Sequence, residues 1–161
     1  MIAAYLILAE RILHEMDELT RVIGRAERAI KAARQRTEDQ DLLIDSAALN
    51  LHDFYAGLER IFQNISTTVD GELPTGANWH RQLMHQMQYD LPALRPPVLS
   101  PAIIDTLDEY RRFRHVVRNI YAFEFKPEQI ERLVNQLLVM FPQLREELIV
   151  FTDFLRQVGE D

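Results

Sequence analysis

Four arginines and one histidine fall within eight residues, Arg111 to Arg118, of a chain whose net charge is −7. The stretch reads Glu109-Tyr110-Arg111-Arg112-Phe113-Arg114-His115-Val116-Val117-Arg118-Asn119-Ile120-Tyr121, and no further acidic residue follows until Glu124. Wound as a helix at roughly 100° per residue, it places Phe113, Val116, Val117 and Ile120 on one side. Arg111, Arg114, His115, Arg118, Asn119 and Tyr121 fill the opposite arc. Exposed helix faces ordinarily mix signs, and like charges four residues apart cost roughly a few tenths of a kcal/mol. An anion would relieve that cost, and phosphate suits the guanidinium fork. The chemistry within reach is therefore phosphate binding by arginine with a histidine close by for proton transfer. A solvated charged face is the plainer alternative.

The other chemistry-bearing side chains carry weaker signals. His14, His52, His80 and His85 are scattered along the chain. His80 and His85 are five positions apart and no Glu-x-x-His pair accompanies them. They read as helix surface or local hydrogen bonding rather than metal ligands. Trp79, near Gly76, reads as a packing anchor for a linker rather than a base-stacking platform. Glu59 and Arg60 read as helix surface or a buried pair, with a supporting role toward Arg114 left open. Phe123 and Phe125 read as caps of the core or of a subunit interface, and Tyr110 has no special role. The chain has no cysteine, which excludes disulfides and thiolate metal sites.

These residues need a scaffold, and the sequence points to helices. Of 161 residues, 47% are apolar, enough for a packed core and too many for wholesale disorder. Only five are glycine, and Leu, Ala, Glu, Arg and Gln outweigh Val and Thr, which favours helix over sheet. Apolar positions Leu6, Ala9, Leu13, Met16, Leu19, Val22, Ile23, Ala26, Ile30 and Ala33 predict one long helix over 2–36, loosened at Gly24. After a turn at Thr37–Gln40, a second helix is expected over 41–67, with Leu43, Ala47, Leu51, Phe54, Leu58, Ile61, Phe62 and Ile65 inward. The two should pack antiparallel.

Asp70 to Gly76 holds turn residues. A short helix is expected over 78–88, and Pro92, Pro96 and Pro97 keep 91–99 irregular. Ser100-Pro101 is a helix start, serine as cap and proline at the first position, and that helix should run to about Ala122. Lys126-Pro127-Glu128 starts the last one, to about Val158, with Leu133, Leu137, Leu138, Met140, Leu144, Leu148, Phe151 and Leu155 as core. Pro142 must kink or split it. The expectation is an all-α, up-and-down bundle of four to five helices, one domain over residues 1–161. The apolar run Met1–Leu8 lacks a basic segment before it and is too short to span a bilayer. It reads as the start of a core helix in a cytoplasmic protein.

At this point the residues resemble a known family. Phe113-Arg114-His115-Val116-Val117-Arg118-Asn119-Ile120-Tyr121 is similar to the string Phe-Arg-His-Val-Val-Arg-His-x-Tyr of a branch of the HepT-like ribonuclease toxins, HEPN superfamily. It departs at the second histidine, where Asn119 stands. Tyr55-Ala56-Gly57-Leu58-Glu59-Arg60-Ile61-Phe62 and Gly76-Ala77-Asn78-Trp79-His80 resemble the same branch.

The resemblance implies a HEPN-like fold, a homodimer with the two motif helices facing across a cleft, and a metal-independent ribonuclease without cofactor. It also implies a toxin of a type VII toxin–antitoxin pair, neutralised when its MNT nucleotidyltransferase antitoxin transfers AMP to the motif tyrosine, Tyr121. In this frame Arg114 binds the scissile RNA phosphate, Arg111 and Arg118 extend the anion site, and the histidine position moves the proton. Asparagine cannot take or give a proton near neutrality, and losing such a group typically costs about 10²–10⁴ in rate. Three accounts of Asn119 stay open: an engineered inactive variant, a natural member that lost the chemistry, or His115 acting in its place. The rival reading is a non-catalytic helical binding protein whose arginines hold a nucleotide, a nucleic acid or an acidic partner.

Overall fold

Long runs of good helix formers without interior proline wind into the two N-terminal helices of the computed structural model, which describes residues 2–121 and 124–161. Helix α1 spans Ile2–Gln35 and α2 spans Gln40–Ile65. A short π-helical turn, Ser66–Asp70, ends at Gly71 in the left-handed region (φ 76°), a conformation that glycine adopts without steric cost. Helices α3 (Trp79–Gln86), α4 (Pro101–Val117) and α5 (Pro127–Glu160) follow. The described residues are all-α in their regular structure, as the apolar periods predict. Helix α1 passes Gly24 without a break. Pro142 lies inside α5, which continues through it, so the helix is not split.

The long helices pack antiparallel. Gln40 reaches the Ala33 carbonyl, while Arg60, further along α2, reaches back to Glu15. Helix α5 lies antiparallel along α1, pairing Arg34 with Glu131 at one end and Glu10 with Arg156 at the other. Gly57 permits the close approach of α1 and α2: a Cβ there would lie 2.7 Å from Leu19 Cδ2 and 2.8 Å from Glu15 Oε1. The buried stripes form one apolar cluster, in which all the α2 positions named above are buried except the partly buried Leu43. At the start of α1 the buried positions are Leu8 and Ile12 rather than Leu6 and Leu13, which are only partly covered.

Helix α4 is anchored at its start and near its middle. The Ser100 hydroxyl accepts from the Ile103 amide, and Glu147 of α5 accepts from both the Ser100 amide (2.6 Å) and hydroxyl (3.0 Å). Tyr110 is wholly buried rather than idle. Its hydroxyl donates to the Leu133 carbonyl of α5 (2.6 Å), and its ring meets Phe54 of α2 edge-on. Glu109 receives two hydrogen bonds from Arg132, which hold its carboxyl below the ordinary glutamate range.

The linkers on either side of α3 are tied together by a buried ion pair. Arg95 donates to both Asp70 oxygens (2.6 and 2.8 Å) and to the carbonyls of Gln86, Tyr89 and Pro96. Its side chain is 0% exposed and that of Asp70 only 4%. Gln86 of α3 donates to the same carboxylate (2.7 Å). Arg95 thus joins the end of α3 to the proline-rich stretch after it, adding to the backbone bond that the Gln86 carbonyl already accepts from the Tyr89 amide.

Candidate functional site

The motif helix ends sooner than its residues suggest. Helix α4 stops at Val117, short of the expected end near Ala122, which with Phe123 lies outside the described residues. Asn119 stands just past that end. In a continuing helix its backbone amide would bond to the His115 carbonyl four residues back. Instead the Asn119 side-chain amide donates to that carbonyl (2.8 Å), and the backbone amide turns to Val116 (2.9 Å). A short side chain competing for its own backbone closes the helix. Asn119 and Tyr121 therefore leave the arc that the helical period assigns them. Tyr121 lies past the helix end and is 71% exposed. Val116, expected on the core face, is 44% exposed, while Phe113 is buried and Val117 partly so.

The arginines do converge. Arg111, Arg114 and His115 of α4 and Arg118 just past its end line a pocket of about 250 Å³ together with Ala77 and Asn78, which precede α3, and His80 and Arg81 in its first turn. Four guanidinium groups and two imidazoles thus border one concavity of an acidic chain. Asn119 and Tyr121 are not among its lining residues. Arg111 is partly neutralised, for Asp108 one turn back accepts from its Nε (2.9 Å) and pairs also with Arg112.

Arg114 is held from below. Its guanidinium donates to Glu59 Oε1 of α2 (3.2 Å), and the other oxygen of Glu59 lies 2.7 Å from His80 Nδ1. Glu59 is 4% exposed, so it is a buried carboxylate between a cation and an imidazole. The Trp79 ring lies 3.6 Å from the His80 ring, centroid to centroid, and packs on the core. Tyr55, one turn before Glu59, is fully buried. Burial, reinforced by Glu59, holds its hydroxyl above the ordinary tyrosine range. Among the described residues, neither that hydroxyl nor Arg114 Nε finds a hydrogen-bond partner.

The sequence reading left His80 as helix surface or local hydrogen bonding and did not name Arg81. The signal was present in the string Gly76-Ala77-Asn78-Trp79-His80, but nothing in its spacing shows that α3 folds against α4. The open role of Glu59 toward Arg114 becomes a direct ion pair, whereas Arg60 turns away to Glu15.

The arrangement defines a helical bundle with a cationic pocket on its motif helix, and the comparisons give the class. A family model described as HepT-like protein matches residues 46–155. The chain belongs to the HepT-like family. No curated protein and no solved structure matches it.

Proposed function

We propose that this chain is the toxin of a HEPN/MNT toxin–antitoxin pair, a metal-independent ribonuclease weakened by Asn119. The observation that carries the reading is the pocket in which Arg81, Arg111, Arg114 and Arg118 meet His80 and His115. Cleavage without metal proceeds by attack of the RNA 2′-hydroxyl on the adjacent phosphate, a route closed to DNA. Arginine holds the phosphate and stabilises the charge that builds on it. Arg114, fixed by Glu59, is suited to the scissile phosphate, with Arg111 and Arg118 extending the anion site. His115 and the Asn119 position complete the family motif.

A second copy would face this one across α4, where the exposed Val116 and Tyr121 supply apolar surface. Two copies would bring two cationic patches to one cleft, which raises the local positive charge facing RNA although the net charge of −7 per chain is unchanged. An exposed tyrosine just past the helix is accessible to AMP transfer by the MNT partner, and the added adenylate would compete with RNA for the arginines. No helix among the described residues is long and apolar enough to cross a membrane.

The rival reading, a non-catalytic binding protein, has one observation in its favour. The Asn119 side chain is engaged with the helix end rather than with the pocket. One experiment separates the two. Asn119→His should raise cleavage of a single-stranded RNA about 10²–10⁴-fold, with chelator present. If Asn119→His stays folded, dimeric and inert on RNA, the ribonuclease reading fails and the binding module stands.

A further inference from the structure

The histidine of the family motif is missing, yet the pocket holds another imidazole in a setting suited to proton transfer. Glu59 Oε2 lies 2.7 Å from His80 Nδ1, and Glu59 is buried. Its other oxygen accepts from Arg114. An ionised carboxylate only accepts hydrogen bonds, so the proton between the two sits on Nδ1. In the neutral tautomer that donates from Nδ1, Nε2 is the nitrogen that carries the lone pair and can accept a proton. Arg114 Nη1, 3.5 Å from the protonated Nδ1, is then a neighbour and not a donor to it. Trp79 restrains the ring plane. His80 lines the pocket beside Arg111, Arg114 and Arg118. A carboxylate that fixes an imidazole's tautomer and supports its charged form is the arrangement by which histidine serves as a general base.

We propose that His80 is a catalytic residue of this chain, the general base for RNA cleavage, with Glu59 as its positioning residue. The inference rests on the ribonuclease reading. His80 Nε2 takes the 2′-hydroxyl proton, and the 2′-oxygen forms a bond to phosphorus while the arginines hold the phosphate oxygens. The bond from phosphorus to the 5′-oxygen breaks, and the departing oxygen takes a proton from water. His80 returns its proton to solvent. The products are a 2′,3′-cyclic phosphate and a 5′-hydroxyl, and no oxidant, reductant or second substrate is needed. His115 lines the same pocket but is exposed, and the structure pairs it with no carboxylate among the described residues.

The test uses the full chain as it stands, with Asn119 in place, and a short RNA read for cyclic phosphate ends. His80→Ala and His80→Gln should each lower cleavage by about 10²–10⁴-fold. Both should still bind a non-cleavable oligonucleotide with a 2′-deoxy link at the cut site. Added imidazole should restore part of the activity of His80→Ala, an effect that a structural role would not give. Glu59→Gln, which loosens both His80 and Arg114, should lower kcat and raise KM, whereas the His80 variants should lower kcat with little change in KM. If His80→Ala cleaves as well as the parent, or loses cleavage without imidazole rescue, His80 is not the base. If the parent chain is inert while Asn119→His cleaves, the proposal for His80 falls and the ribonuclease reading survives. If Arg114→Gln leaves cleavage untouched in all these proteins, the ribonuclease reading itself falls.

Discussion

Arg95→Met tests whether the buried tie beneath α3 sets the stability of the whole chain. The substitution keeps length and most of the volume but removes the charge. It strands the Asp70 carboxylate, 4% exposed, without its cation. It also removes the donors that serve Gln86, Tyr89 and Pro96. Removing one partner of a buried pair costs about 3–5 kcal/mol. Water entering beside the freed carbonyls offsets part of their loss, so the same range is expected for the whole change. For a chain of 161 residues, each kcal/mol lowers Tm by about 2–4 °C, which gives a fall of roughly 6–20 °C. Urea unfolding and calorimetry of parent and variant measure it. The double variant Arg95→Met, Asp70→Leu should recover a large part of the loss, because no buried charge is then left unpaired. A single variant within about 1 kcal/mol of the parent would refute the reasoning. So would a double variant less stable than the single one.

Two further outcomes follow from the packing. Gly57→Ala sets the helical gain of alanine over glycine, about 0.5–1 kcal/mol, against a cost of about 1–3 kcal/mol for displacing the Leu19 and Glu15 side-chain ends at 2.7 and 2.8 Å; a net loss of up to about 2 kcal/mol in urea is expected, and a raised midpoint would show that those side chains yield without cost. Glu109, whose carboxyl Arg132 holds below the ordinary range, contributes stability that is present above the unfolded value, about 4.3. That contribution is lost as pH falls through the lower folded value. Arg132→Met should therefore flatten the acid limb of the stability curve below about pH 4.3, and an acid limb identical to the parent's would show that the pair makes no difference.

Much of the fold was legible from local pattern. The stripes of α2 and α5 follow the helical period, and burial obeys it except at Leu43 and Leu138, which are only partly covered. Ser100-Pro101 marked the start of α4 because capping chemistry is local. Pro142 does not split α5, since proline inside a long packed helix can be carried by its neighbours without ending it. The end of α4 was missed because apolar spacing does not register a side chain, that of Asn119, taking the bond that periodicity assigns to its backbone. Val116 was misplaced because a helix has two lateral faces, and which of them its neighbours cover is not a property of the helix.

The sequence by itself determined that the chain forms helices, roughly where they begin, and that one of them concentrates positive charge in an acidic protein. Those are matters of residue type and near-neighbour spacing. Only the tertiary structure decided that α3 brings His80 and Arg81 to the arginines of α4, and that Glu59 joins Arg114 to His80. Glu59 and Arg114 are 55 residues apart in the chain, and no spacing rule spans such a gap. What closes it is the burial of apolar faces, which aligns polar groups that have no local tendency to meet.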